Sequence, residues 1–164
     1  MLQMRRRGGR SMLSLTGEVS ANVEVQAPAA MTHEVFSSKL NQLSNACPEK
    51  VKAVDLLEGE WGKAGCVICW HFVYDGKTQT CKEVMEEIDF ENKKTTYKVV
   101  EGNLLENYRS FYFMLQVTPK GEGSLVNWTL KYEKMNHDVP EPNAMLQFAV
   151  DVTKDIVANL VPQA

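Results

Sequence analysis

Residues 66–88 read CVICWHFVYDGKTQTCKEVMEEI. Cys66, Ile68, Trp70, Phe72 and Tyr74 alternate with Val67, Cys69, His71 and Val73. A period of two is the signature of a strand with one face turned to a core, and the bulkier set is the one placed inward. Asp75-Gly76 interrupts the pattern with a pair that favours the left-handed backbone of a tight hairpin turn. Lys77 to Ile88 then returns as a second strand, with Cys81, Glu83 and Met85 on one face. The unit is an antiparallel hairpin, and the strands on either side of it extend a sheet of the same type.

Downstream the same grammar repeats. Glu91-Asn92-Lys93-Lys94 is a turn, and Thr95 to Glu101 a strand with Thr95, Tyr97 and Val99 in phase. Gly102-Asn103 breaks it. Tyr108 to Thr118 carries Phe111, Phe113, Leu115 and Val117 on one face, and Pro119 to Gly123 is a turn. Leu125 to Lys134 returns with Val126, Trp128, Leu130 and Tyr132 in phase. Upstream, Gly17 to Gln26 alternates Val19, Ala21, Val23 and Val25 with polar residues, and Val51 to Glu58 reads as a further strand. Between those two, Pro28 opens a short helix over 29–36, and a second is expected over 39–45 before Pro48. The chain closes on one long helix, where Met145, Phe148, Ala149, Val152, Ile156 and Leu160 form a single apolar stripe. The expected class is α+β: seven antiparallel strands, two short helices and a long C-terminal helix. A curved sheet buries its concave face only by wrapping something, and the long helix is the one element large enough.

The chain has 164 residues, 44% hydrophobic and 24% charged, a one-domain length with ordinary globular composition. Four arginines and no acid fall in residues 1–11, so residues 12–164 carry a net charge of −7. The expected division is a basic, disordered extension over 1–11 and one domain over 12–164. An acidic domain argues against nucleic acid as a partner, because phosphate binding needs a basic surface. No apolar run is long enough to insert in a membrane as a helix. No apolar signal segment follows the arginines, so the four cysteines are read as free thiols in a reducing, cytoplasmic setting. Cys66 and Cys69 match C-x-x-C as a string, but residues three apart on a strand point to opposite faces, which excludes a shared metal or a disulfide within the ladder. The glycine run Gly59-Glu60-Trp61-Gly62-Lys63-Ala64-Gly65 fits neither phosphate-binding nor dinucleotide-binding spacing. No cofactor and no metal are expected.

Several separated segments together resemble the plant major latex proteins, a branch of the birch-pollen-allergen and pathogenesis-related class-ten superfamily. They are the glycine loop 59–65, Asp75-Gly76-Lys77, Glu101-Gly102, Gln116-Val117-Thr118-Pro119-Lys120, Tyr132-Glu133-Lys134 and Leu146-Gln147-Phe148-Ala149-Val150-Asp151. The resemblance spans residues 13–161 and implies the helix-grip (START-like) fold, in which the sheet grips the C-terminal helix. It also implies a cytosolic plant protein with an internal hydrophobic cavity. Relatives either carry small apolar molecules or convert reactive terpenoid and alkaloid intermediates without a cofactor.

On that frame the inward residues Ile68, Trp70, Phe72, Cys81, Met85, Val99, Phe111, Phe113, Trp128, Tyr132, Met145, Phe148 and Val152 become the expected cavity wall. Glu83 is the candidate acid or base, since a carboxyl taken out of water has a raised pKa; the resemblance implies the same role, because relatives often carry an acid there. Tyr97 is the candidate hydrogen-bond donor to a ligand carbonyl. His33 is a candidate for the cavity mouth, and the resemblance puts the loop of His137 beside it. Two functions stay open. One is cofactor-free cyclisation or isomerisation of a reactive terpenoid (iridoid-type) or alkaloid intermediate, with an upstream enzyme supplying that intermediate. The other is a non-catalytic carrier of hormones, lipids or flavonoids in defence or stress.

Overall fold

The structure, a computed structural model, describes residues 14–160. The expected boundary between a basic extension and the domain lies outside them. The elements run β1 (Thr16–Val25), α1 (Ala29–Ser37), a 3-10 turn (Leu40–Gln42), α2 (Leu43–Ala46), β2 (Val51–Glu58), β3 (Val67–Tyr74), β4 (Lys77–Asp89), β5 (Lys94–Gly102), a second 3-10 turn (Asn103–Glu106), β6 (Tyr108–Lys120), β7 (Gly123–Lys134) and α3 (Asn143–Leu160). All seven strands join one antiparallel sheet in the order β1-β7-β6-β5-β4-β3-β2.

The turn chemistry sets the register. Asp75 and Gly76 have φ of 53° and 73°, the two left-handed residues that a hairpin matched to strand twist requires. Trp70 therefore faces Cys81, and Ile68 faces Glu83. Register shifts between Lys82 and Glu83, and again between Met85 and Glu87, break the β4–β5 ladder. Such irregularities bend a strand and increase its twist. Two expectations are corrected. The second helix is not continuous: a 3-10 turn precedes a single helical turn at Leu43–Ala46. And β6 runs through Pro119 rather than stopping before it. Beyond Gln116 that strand has no β5 neighbour, so a proline is tolerated there.

The concave face is the buried one. Val19, Ala21 and Val23 of β1, Val126, Trp128 and Leu130 of β7, and Phe111 and Leu115 of β6 are all 5% exposed or less. Against them α3 buries Met145, Leu146, Ala149, Val150, Val152, Thr153, Ile156 and Val157. Polar ties fix the docking of the helices. Trp128 Nε1–H donates to Thr153 Oγ1 at 2.8 Å, and that hydroxyl donates to the Ala149 carbonyl one turn back. Asn159 Nδ2 donates to the Ala46 carbonyl, joining α3 to α2.

Candidate functional site

Between α3 and the concave face of β3–β7 the packing leaves a cavity of about 580 Å³ of atom-free space, its mouth included. Its wall is Phe36, Val51, Trp70, Phe72, Cys81, Glu83, Tyr97, Leu104, Phe113, Trp128, Met145, Phe148, Ala149 and Val152. The aromatic rings brace one another. Trp128 meets Phe36 edge-on at 5.6 Å between centroids and stacks with Tyr97 at 6.1 Å. Phe148 reaches from α3 to Phe72 at 5.7 Å.

The polar part of the wall is one cluster. Glu83 is 4% exposed. Trp70 Nε1–H donates to its Oε1 at 2.7 Å, and Cys81 Sγ lies 3.6 Å from its Oε2. Burial pushes the Glu83 carboxyl up to about 7, against the opposing pull of the indole N–H and the thiol. Burial, with the neighbouring carboxylate, pushes the Cys81 thiol far above its ordinary range, so it stays protonated. Gly102 makes this corner possible. Its φ is 134°, and a Cβ there would lie 2.7 Å from the Thr80 carbonyl oxygen. Only glycine lets β5 close on β4 beside Cys81.

Of the expected wall, Trp70, Phe72, Cys81, Phe113, Trp128, Met145, Phe148 and Val152 come together around Glu83 and Tyr97. Ile68, Met85, Val99, Phe111 and Tyr132 do not reach the cavity. They face the concave side as expected and are buried, but in solid core. Period two tells which face a residue takes, not how far along the sheet the empty space extends. Met85 sits where β4 meets the glycine loop, its backbone bonded to Gly65 and Cys66. Phe111 and Tyr132 pack with Tyr108 at centroid distances of 5.0 and 5.6 Å from that ring, and Tyr108 donates to the Pro140 carbonyl.

Tyr97 contributes its ring to the wall, but its hydroxyl donates to the Phe36 carbonyl at the end of α1. That proton is committed to helix docking, which removes Tyr97 as a donor to a ligand. His33 is likewise corrected: it is 1% exposed, 2.8 Å from Thr95 Oγ1 and edge-on to Phe90 at 5.5 Å, and is absent from the cavity wall. His71 pairs with Asp55 at 2.9 Å on the other face of β3, and His137 is an exposed loop residue. The sequence reading missed Phe36, Val51, Leu104 and Ala149 as wall residues. Ala149 carried a usable signal, since it belongs to the stripe of Met145, Phe148 and Val152. Among the described residues no three His, Cys, Asp or Glu side chains converge as metal ligands would, and no helix is long and apolar enough to cross a membrane.

Comparison with known proteins agrees with this geometry. The model of the pathogenesis-related protein Bet v 1 family matches residues 14–163. MLP-like protein 43 of Arabidopsis thaliana is 41% identical over 152 residues, 92% of this chain and 96% of its own. The crystal structure of major latex-like protein 151 from Panax ginseng superposes with a TM-score of 0.87 at 38% identity, covering 90% of this chain and 99% of that one. Norcoclaurine synthase from Thalictrum flavum shares the fold at 19% identity and a TM-score of 0.69, with 99% of each chain covered. The chain is therefore a member of the Bet v 1 family, on the branch of the major latex-like proteins, with that family's hydrophobic ligand-binding fold.

Proposed function

We propose that the protein takes a compact, largely apolar metabolite into this cavity and guides its cofactor-free isomerisation or cyclisation, with Glu83 as the proton-transfer group. The carrying observation is Glu83 itself: an acidic side chain on the wall of an apolar cavity, with its carboxyl pushed up to about 7. A group with that pKa exchanges protons readily in both directions near neutral pH. The aromatic walls supply the rest, holding one conformer and excluding water, and orientation of this kind is worth several kcal/mol. The substrate class is a reactive terpenoid or alkaloid intermediate delivered by an upstream enzyme. Norcoclaurine synthase, a distant holder of the same fold, has been crystallised with dopamine and hydroxybenzaldehyde, which supports the capacity of the fold for small aromatic reactants. All four cysteines are free, in keeping with a reducing, cytoplasmic setting.

One observation favours a second reading, a non-catalytic carrier. Both Glu83 oxygens already have donors within the wall, so the group can serve as a fixed anchor without turning over. The deciding experiment generates the intermediate enzymatically and compares rate and product stereochemistry with wild type, with Glu83→Gln and without protein. Catalysis requires a faster or stereochemically biased reaction with wild type that Glu83→Gln loses. Unchanged product with tight binding of the neutral fluorophore N-phenyl-1-naphthylamine leaves the carrier. Absence of fluorophore binding rejects both readings.

A further inference from the structure

Among the described residues, Glu83 is the one carboxyl in the wall, the Cys81 thiol and Tyr97 hydroxyl being held protonated by burial, and no lysine, arginine or histidine of that set lines the cavity. Lys82, beside Glu83 on β4, pairs with Glu101 at 3.1 Å. What faces Glu83 is neutral on every side. From β3 come Trp70, an indole N–H donor, and Ile68, its ladder partner. From β4 comes the Cys81 thiol, and from β5 come Tyr97 and Val99. The wall residues of α3 are Met145, Phe148, Ala149 and Val152. Neutral donors orient a carboxylate but bring no counter-charge. An ionised carboxylate held this way is costly until a cation joins it.

The wall around the acid has the complementary chemistry. Trp70, Phe72, Phe113, Trp128 and Phe148 border the same space. Aromatic faces attract a cation most strongly where water is excluded, with tryptophan the best of them. A second anion in that space would instead meet Glu83 at low dielectric, where like charges repel far more strongly than in water.

We infer that the cavity sorts ligands by charge: it accepts a protonated amine on a compact apolar body and rejects carboxylates. The inference rests on the reading of the cavity as a small-molecule site and narrows it to one substrate class. A proton linkage comes with it. An ammonium ion requires ionised Glu83, so amine binding below about pH 7 expels the proton from Glu83 and weakens as pH falls. A neutral ligand of the same shape has no such dependence.

The test uses the full chain and three probes of nearly one shape: 2-phenylethylamine, 2-phenylethanol and phenylacetate. Each displaces N-phenyl-1-naphthylamine, and Kd is measured at about pH 8 and about pH 5.5, both well below the pKa of an alkylammonium ion. At the higher pH the amine is expected to bind about tenfold tighter than the alcohol, and phenylacetate weakest. The amine preference disappears at the lower pH and in Glu83→Gln, where phenylacetate gains. If Glu83→Gln does not fold, the wild-type pH comparison alone decides. Equal or tighter binding of the alcohol or of phenylacetate at about pH 8, with the fluorophore bound, overturns charge sorting and leaves the cavity reading standing. Failure of the fluorophore itself to bind overturns both.

Discussion

Trp70 Nε1 lies 2.7 Å from Glu83 Oε1, although the ladder pairs Trp70 with Cys81 and Glu83 with Ile68. The indole reaches diagonally across β3–β4, along the concave face, to meet the carboxylate. Cys81, directly opposite Trp70, closes on the other oxygen. One hairpin register thus builds the whole polar corner of an otherwise apolar cavity.

Removing the indole donor should raise the Glu83 pKa further, because the hydrogen bond favours the ionised form. A hydrogen bond to a charged group contributes about 1.5–3 kcal/mol, so Trp70→Phe should move the midpoint up by about one to two units. Carbon-13 NMR of the Glu83 carboxyl reads this directly. An unmoved midpoint would show that the indole does not hold the anion.

Glu83 also shapes stability against pH. Its carboxyl is pushed from an ordinary 4.5 to about 7, so the native state holds a proton that the unfolded chain has released. The stabilising effect is complete below the unfolded pKa and is lost as pH rises through the folded one. Glu83→Gln should match wild type below about pH 4.5 and exceed it by about 3 kcal/mol above pH 7. Urea unfolding across the range checks it. A gap that shrinks with rising pH would mean Glu83 is ionised at little cost.

Burial shifts His33 the opposite way. Desolvation lowers its pKa, with Lys93 adding to the effect and the Lys94 carbonyl and Asp89 opposing it. A neutral imidazole is what fits beside Thr95 and Phe90. Its stability is therefore present in full above about pH 6.5 and lost as pH falls from there through the lowered folded value. His33→Gln cannot take up a proton, so its stability should decline less than that of wild type between about pH 6.5 and 5. Parallel declines in thermal melts of the two proteins would remove His33 as the cause.

Tyr97→Phe leaves the Phe36 carbonyl without its hydroxyl donor and should cost about 1–3 kcal/mol. Fluorophore binding should change by less than about threefold, because the ring stays in the wall. Large loss of binding with unchanged stability would return Tyr97 to the ligand site.

Ala149 is the smallest residue that α3 presents to the cavity. Ala149→Leu places three more carbons in that space. Fluorophore binding should fall at least about tenfold, while the melting temperature of the free protein moves little, since the added group fills a void rather than a packed core. Normal binding in the variant would mean the ligand lies elsewhere.

Most of the fold was legible because strands and helices advertise themselves locally. The Asp75-Gly76 turn and the alternation around it gave β3 and β4 to within a residue, and the α3 stripe identified the gripped helix. The short helices were less legible: Ser37 to Leu43 has neither caps nor enough length for propensity to decide, and packing against β2 chose a 3-10 turn. At the site, Glu83 was legible as an inward-facing carboxyl through its phase with Cys81 and Met85. Tyr97 was misread, because its phase pointed it inward and nothing local tells which carbonyl its hydroxyl meets.

By itself the sequence determined the number of strands, their antiparallel pairing and the face each residue takes. These come from periodicity and turn residues, which act over a few neighbours. Only the tertiary structure decided where the concave face is filled and where it is left empty. Phe36 comes from α1, Leu104 from a 3-10 turn and Ala149 from α3, and all three meet β-strand residues far away in the chain. A void is the space that distant side chains fail to fill, so no local pattern can encode it. The same holds for the environment of Glu83: an ordinary carboxyl is pushed up to about 7 only once the folded chain has removed the water around it.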